Sequence, residues 1–248
     1  MTSGTALPAV TQLEREYQRL VELNRSRDRF LRTVSHELRT PLTSILSCTE
    51  LLGDERTGAL NPDQREYVEI VGRGAGRLLG LVDDLLELAG LESGRLTLSR
   101  ELLDLPELVA EAAHHRRDAL AAAGLGLVLD LETGPPVLAD GRRVGKLIEG
   151  LLRNAQQATP RGGRVTVTAR PDEDWAISVA DTGRGIPAAE RRTVFDAFTR
   201  SGGGGGLGLT IGRTVAELHG GALTLVSTEG AGTTVTLRLP FAYGGAAS

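Results

Sequence analysis

Cysteine is almost missing. The one thiol, Cys48, lies in a helical pattern and excludes any internal disulfide. It is expected to be a small core residue in a reducing compartment. Aromatics are 3% of the 248 residues, so the cores must rest on Leu, Val, Ile and Ala. No apolar run approaches the roughly 18 residues that a membrane span needs. Residues 1–10 lack the basic start and apolar stretch of a signal peptide. Together these predict a cytoplasmic chain with no membrane segment. Neither sign of charge dominates, and a net charge of −4 argues against a nucleic-acid binder. The length suits two modest domains.

What is present is organised around residues 30–42, which read FLRTVSHELRTPL. Leu31, Val34, Leu38, Leu42 and Ile45 recur at three- and four-residue steps and mark one face of an amphipathic helix. His36 falls off that stripe, so its ring is expected in solvent. Glu37 can hold one ring nitrogen protonated and leave the other as a nucleophile. Thr40 lies one turn on, on the same face. Pro41 costs roughly 3 kcal/mol in a regular helix and predicts a bend beside His36.

In chain order, residues 1–12 are small and polar and read as disordered. From Leu13 a heptad pattern runs through Tyr17, Leu20, Asn24, Arg27, Leu31, Val34 and Leu38. It suggests a parallel seam between two chains, in preference to one helix packed inside a monomer. Helix 1 should end near Gly53, and a second helix should run from Pro62 to about Gly90. Gly72, Gly74, Gly76 and Gly80 within it mark either a mobile segment or a close contact. Residues 13–95 thus form a helical hairpin, which makes a four-helix bundle in a dimer. A hinge near residues 93–97 leads into a second domain, 96–242, and 243–248 is a tail. That domain reads as an α/β sandwich with helices on one side of a mixed sheet. Strands are expected over 98–103, 125–131, 164–169, 175–180, 222–227 and 233–239. Helices are expected over 106–123, 142–158, 188–197 and 207–218.

Three stretches of the second domain carry chemistry. Residues 181–187, DTGRGIP, follow a strand. Gly183 and Gly185 let the backbone approach a ligand, and Asp181 can accept a hydrogen bond from an exocyclic amine. Residues 202–209, GGGGGLGL, open a helix and offer backbone amides to an anion. No Gly-Lys-Ser/Thr follows, so this is not a P-loop. Residues 146–159, KLIEGLLRNAQQAT, form a helix bearing Asn154.

The string SHELRTPLTSI resembles the phospho-acceptor box of the sensor histidine kinases, and the other stretches resemble their ATP domain of the Bergerat type. The resemblance covers residues 20–240, with its motifs in order. It implies that His36 is phosphorylated from ATP, with Glu37 orienting the ring and Thr40 helping water remove phosphate from the partner. It makes Asp181 the acceptor of the adenine amine, with Gly183, Gly185 and Ile186 in the same box and Thr233 near the adenine pocket. Gly204, Gly206, Leu207 and Gly208 become the phosphate box, and Asn154 the ligand of Mg²⁺. Residues 194–198, VFDAF, resemble the Phe box of the family. The implied partners are a second copy of the chain and the receiver domain of a response regulator.

The chain departs from the pattern at three places. Gly150 stands where the family has a second Asn, Gln157 where it has a Lys, and Ala158 where it has an aromatic. Arg153, Arg161 or Arg200 could supply the missing charge. The segment between Phe198 and Gly204 is short and suggests weak closure or fast exchange of nucleotide. These departures motivate an alternative: a non-catalytic or phosphatase-biased signalling scaffold.

Overall fold

The computed structural model describes residues 6–54, 58–93, 97–197, 199 and 206–242. The chain divides into two compact units, Met1–Leu96 and Thr97–Ser248.

The first unit is a hairpin of α1 (Ala6–Gly53) and α2 (Pro62–Glu92). Helix α1 begins within the stretch expected to be disordered. Ala6 and Leu7 are good helix formers, and Pro8 sits in the first turn, where its missing donor has no partner to lose. The helix runs unbroken through Pro41. Helix α2 starts on a capping box: Asn61 accepts from the Gln64 amide at 2.8 Å, and the Gln64 side chain accepts from the Asn61 amide at 3.0 Å. Pro62 takes the first helical position, where a ring is harmless. Leu42, Ala75 and Val82 meet at the core of the hairpin, with Leu46 and Leu79 against them. Leu38, Ile45, Val71 and Leu78 stay exposed within one chain. Cys48 is exposed, which corrects its expected place in the core, because its side of α1 does not meet α2. The heptad side chains Leu13, Tyr17, Leu20 and Asn24, and hinge residues 94–96, lie outside the described ones.

The glycines of α2 divide. A side chain at Gly72 would meet Thr49 Oγ1 at 3.2 Å, and one at Gly76 would meet Leu46 at 3.9 Å. Gly74 and Gly80 face open space. Close contact with α1 therefore accounts for the first two only.

The second unit is built on a five-stranded sheet in the order β2-β4-β5-β7-β6. Its strands are β2 (Gly126–Leu131), β4 (Arg164–Pro171), β5 (Trp175–Asp181), β6 (Ala222–Thr228) and β7 (Gly232–Leu239). The β2–β4 pair is parallel and the others are antiparallel. A separate ribbon joins β1 (Glu101–Leu103) to β3 (Val137–Ala139). Helices α3 (Leu105–Ala122), α4 (Gly141–Ala158) and α5 (Gly208–Leu218) complete the unit. Inward residues of the strands, such as Val167, Ile177 and Leu237, pack on Val109, Ile148, Leu152 and Ala216 of the helices. Alternation along each strand sends every second side chain into that core.

One expected helix is not formed. Residues 188–197 are a stack of turns, in which the amides of Glu190, Thr193 and Asp196 each bond three residues back. The carbonyl of Phe195 instead accepts from Thr210 Oγ1 at 2.9 Å and Arg213 Nη2 at 3.4 Å, both on α5. The guanidinium of Arg213 also lies 5.5 Å from the Phe195 ring centre. Bonds to α5 therefore replace the regular ladder of a helix.

A buried network fixes the ends of α4 and α5. Asp140 caps α4 by accepting from the Arg143 amide at 3.1 Å, and also accepts from the Ser99 amide at 3.0 Å. The Asp140 amide donates to His219 Nε2 at 2.9 Å, so the ring is neutral and Nδ1–H donates to the Val215 carbonyl at 2.7 Å. Burial holds the His219 pKa below its ordinary 6.5; the Val215 bond and Asp140 oppose this, and Arg100 and Arg143 add to it. The unfolded chain therefore takes up this proton first. The stability that neutral His219 contributes is complete above 6.5 and is lost as pH falls below it. For Asp140, burial alone would raise the pKa. The amide bonds from Ser99 and Arg143 and the charges of Arg143 and Arg142 outweigh it and hold the pKa below 3.8, adding a second loss at lower pH. The thermal midpoint followed by calorimetry is expected to fall as pH drops below 6.5. His219→Gln, whose amide oxygen can still accept from Asp140, is expected to flatten that limb.

Candidate functional site

The site of the second unit is assembled where β5 ends. Asp181 is the last residue of that strand and stands opposite Thr233 of β7. Its Oδ1 accepts from the Gly183 amide at 2.8 Å. Burial raises its pKa above 3.8, against the amide bonds from Gly183 and Thr233. Partial desolvation of a carboxylate carries a cost that further hydrogen-bond donors would offset.

The glycines that follow are required by their neighbours. A side chain on Gly183 would lie 2.4 Å from the Ala158 carbonyl of α4. Gly185 has φ +66°, and a side chain there would lie 2.0 Å from the Thr228 carbonyl. The loop is thereby pressed between the end of α4 and the end of β6, and the Arg184 amide donates to Ala158 at 3.2 Å.

Ser227 is a site residue that motif reading missed. It is 4% exposed, and its hydroxyl accepts from the Ile186 amide at 2.8 Å. The same hydroxyl donates to the Gly232 carbonyl at 3.0 Å and lies 2.9 Å from Thr233 Oγ1. It ties the Asp181 loop to the strand beside it. The only signal was its inward register on β6, which any core residue shares. Ser227→Ala leaves the Ile186 amide without this partner and should cost about 1–3 kcal/mol, read as a lower thermal midpoint and weaker ATP binding.

Helix α5 presents an open N-terminus. Its cap residue, Leu207, is buried and makes no side-chain bond to the first turn. Gly206 precedes it with φ +71°, and nothing lies within 4 Å of where a Gly208 side chain would begin. Among the described residues no side chain takes up the amides of the first turn, an arrangement that suits an anion. Gly204, expected in the same cradle, lies outside the described residues, as do Phe198 and Arg200. The α5 backbone approaches α4 because residue 212 is glycine; a side chain there would lie 2.5 Å from Leu147.

On α4, Asn154 and Gln157 are exposed, while Ala155 is buried. An exposed Asn side-chain oxygen is of the kind Mg²⁺ takes, since that ion uses one or two protein oxygens and keeps waters and phosphates for the rest.

In the first unit, His36 and Glu37 project from α1 with side chains 78% and 77% exposed. Exposure of this degree leaves the ring open to an incoming phosphorus. His36 Nδ1 lies 3.8 Å from Glu37 Oε1, beyond hydrogen-bond length, and both groups face solvent. The Thr40 hydroxyl rests on the His36 carbonyl at 3.3 Å, on a solvent-facing turn. Arg39, between them, pairs across the hairpin with Asp83 at 2.5 Å.

A strand-end carboxylate, a pressed glycine loop and an uncapped glycine-led helix define a nucleotide site, and the helical hairpin adds an open histidine. Comparison with known proteins agrees. The His Kinase A (phospho-acceptor) domain family matches residues 26–94. The family of histidine kinase-, DNA gyrase B-, and HSP90-like ATPases matches residues 139–243. The chain is 39% identical over 222 residues to the histidine protein kinase DivJ of Caulobacter vibrioides, covering 86% of this chain and 37% of that protein. It is 33% identical over 257 residues to the autoinducer 2 sensor kinase/phosphatase LuxQ of Vibrio cholerae, covering 97% of this chain and 30% of that one. The crystal structure of full-length ShkA in complex with AMPPNP superimposes with a TM-score of 0.72 at 32% identity, covering 87% of this chain and 46% of that one. The chain belongs to the sensor histidine kinases, as a phospho-acceptor hairpin followed by an ATPase-type domain. It spans about a third of the length of the curated relatives it matches.

Proposed function

We propose that this chain is the kinase core of a two-component system, which phosphorylates His36 from Mg-ATP and passes the phosphoryl group to an aspartate of a response-regulator receiver domain. The observation that carries the proposal is the open His36 ring with Glu37 beside Nδ1. Nε2 attacks the γ-phosphorus in line. The N–P bond forms as the bond from phosphorus to the β,γ-bridging oxygen breaks, and ADP leaves with that electron pair. Glu37 keeps the remaining proton on Nδ1. Asp181 accepts from the adenine amine, and Ile186 and Thr233 lie beside it in the loop and strand tied by Ser227. The α5 amides at Gly206, Leu207 and Gly208 hold phosphate oxygens. Asn154 would hold Mg²⁺, which supplies charge neutralisation at the phosphates when bound.

The exposed apolar residues of the hairpin support a homodimer, since Leu38, Ile45, Val71 and Leu78 need a second hairpin to cover them. Thr40, on an exposed turn after His36, would orient a water that removes phosphate from the receiver. A second reading, a phosphatase-biased core, is favoured by Gly150 and Gln157, which remove an amide and a cation from the nucleotide helix.

The test is incubation with γ-labelled ATP and Mg²⁺, followed by a chase with a receiver domain. The proposal expects a label on the chain that is acid-labile and alkali-stable, and that moves to the receiver. A folded dimer that takes up no label yet strips phosphate from a phosphorylated receiver would support the second reading instead.

A further inference from the structure

The kinase reading leaves one requirement unmet on α4. The terminal phosphates carry concentrated negative charge, yet the exposed residue one turn beyond Arg153 is the neutral Gln157. Three arginines were candidates to supply the charge. The side chain of Arg161 lies along Gly124, with Cγ 2.7 Å from where a side chain there would begin, at the turn between α3 and β2. Arg200 lies outside the described residues. Arg153 is exposed on α4, and among the described residues nothing pairs with it.

The direction of the nucleotide along α4 follows from two contacts. The base end is set by Asp181, whose loop presses on Ala158 in the last turn of α4. The phosphate end is set by α5, whose first turns approach α4 at Leu147 through Gly212. A nucleotide with its base at Asp181 and its phosphates at the α5 amides therefore runs from the end of α4 toward its middle. Residues 150, 153, 154 and 157 fall within one sector of the helix at about 100° per residue. The opposite sector, with Ile148, Leu152 and Ala155, is buried in the core. Arg153 and Asn154 are consecutive on that exposed sector, one helical step apart.

The guanidinium turns toward the phosphate end. Its Nη2 lies 3.7 Å from where a side chain at Gly150 would begin, so it covers the preceding turn. A side chain longer than a methyl at residue 150 would grow into the space the guanidinium occupies. Glycine at 150 and arginine at 153 are then one arrangement: the first clears the turn and the second fills it with charge.

We infer that Arg153 is the cation that meets the terminal phosphates of ATP in this chain, in the role left open by Gln157. The inference rests on the kinase reading of the site. A guanidinium is suited to it, because its planar fork can give two bonds to one phosphate and stays charged at any working pH. Acting on the γ-phosphate, it would also offset charge that builds on the leaving oxygens during transfer.

The experiment measures the affinities of Mg-ATP and Mg-ADP for the full chain by calorimetry. Arg153→Gln, Arg153→Lys and the double variant Arg153→Gln/Gln157→Lys are compared with the wild type. Arg153→Gln is expected to weaken ATP about tenfold and ADP much less, because the lost contact is to the terminal phosphate. Arg153→Lys should recover part of the loss, and the double variant should recover ATP preference by returning a cation one turn away. The labelling rate at saturating ATP should fall with the same ranking. An unchanged ratio of ATP to ADP affinity in Arg153→Gln, or an equal loss for both, would overturn the inference while leaving the kinase reading intact. Wild-type chain that binds neither nucleotide would overturn both.

Discussion

His36→Gln is expected to lower incorporation of label from γ-labelled ATP by at least about a thousandfold, to background, because no other group can take over a nucleophile's role. The variant should keep its fold and its ATP affinity. His36 is 78% exposed, and among the described residues its ring makes no hydrogen bond. Glu37→Gln should act differently. The amide cannot offset charge on the phosphorylated ring, so label appears more slowly but still appears. A gel-based time course with both variants separates the attacking group from the one that orients it. Label that persists at full rate in His36→Gln would place the phosphate on another residue.

Asp181→Asn is expected to weaken ATP binding by about a hundredfold or more, since a site built around one acceptor then presents a mixed amide to the adenine amine. The unliganded variant should be at least as stable as the parent. Burial raises the Asp181 pKa, so the stability this group contributes is complete below 3.8 and is lost as pH rises through its folded value. At neutral pH the charge is therefore a cost to the unliganded fold. Asparagine removes the charge and can keep the 2.8 Å bond from the Gly183 amide through its own oxygen. Calorimetric titration and thermal melting together check both halves. A variant that binds ATP as tightly as the parent would contradict the assignment of the base-binding carboxylate.

These expectations depend on features that differ in how openly they are written in the sequence. The helices of the hairpin and the strands of the sheet follow from periodicity alone, as with the alternation over 164–171 that buries Val165, Val167 and Ala169. The loop 181–187 stood out in the sequence, and the structure gives its glycines a reason: Gly183 and Gly185 are pressed against the Ala158 and Thr228 carbonyls. Residues 188–197 misled the reading. They have helical composition, but Thr210 and Arg213 claim the Phe195 carbonyl from 15 and 18 positions away, which no local pattern announces. Ser227 and the Asp140–His219 bond were hidden for the same reason: each joins segments far apart in the chain. Cys48 fails the other way. A small apolar residue on a helix reads as core, yet Cys48 lies off the side of α1 that packs on α2 within the hairpin. The arrangement of Arg153 over Gly150 lay between these cases. Its parts were visible as departures from a pattern, and their relation needed coordinates.

The central claim is that a solvent-facing imidazole of the hairpin captures the terminal phosphorus of a nucleotide held in the sandwich. Its most direct test is to incubate the full chain with Mg-ATP, digest it under alkaline conditions and map the phosphorylated residue by mass spectrometry. The account predicts a phosphoryl group on the peptide containing His36, at a ring nitrogen. Phosphate found only on serine, threonine or aspartate side chains, with the His36 peptide unmodified, would contradict it.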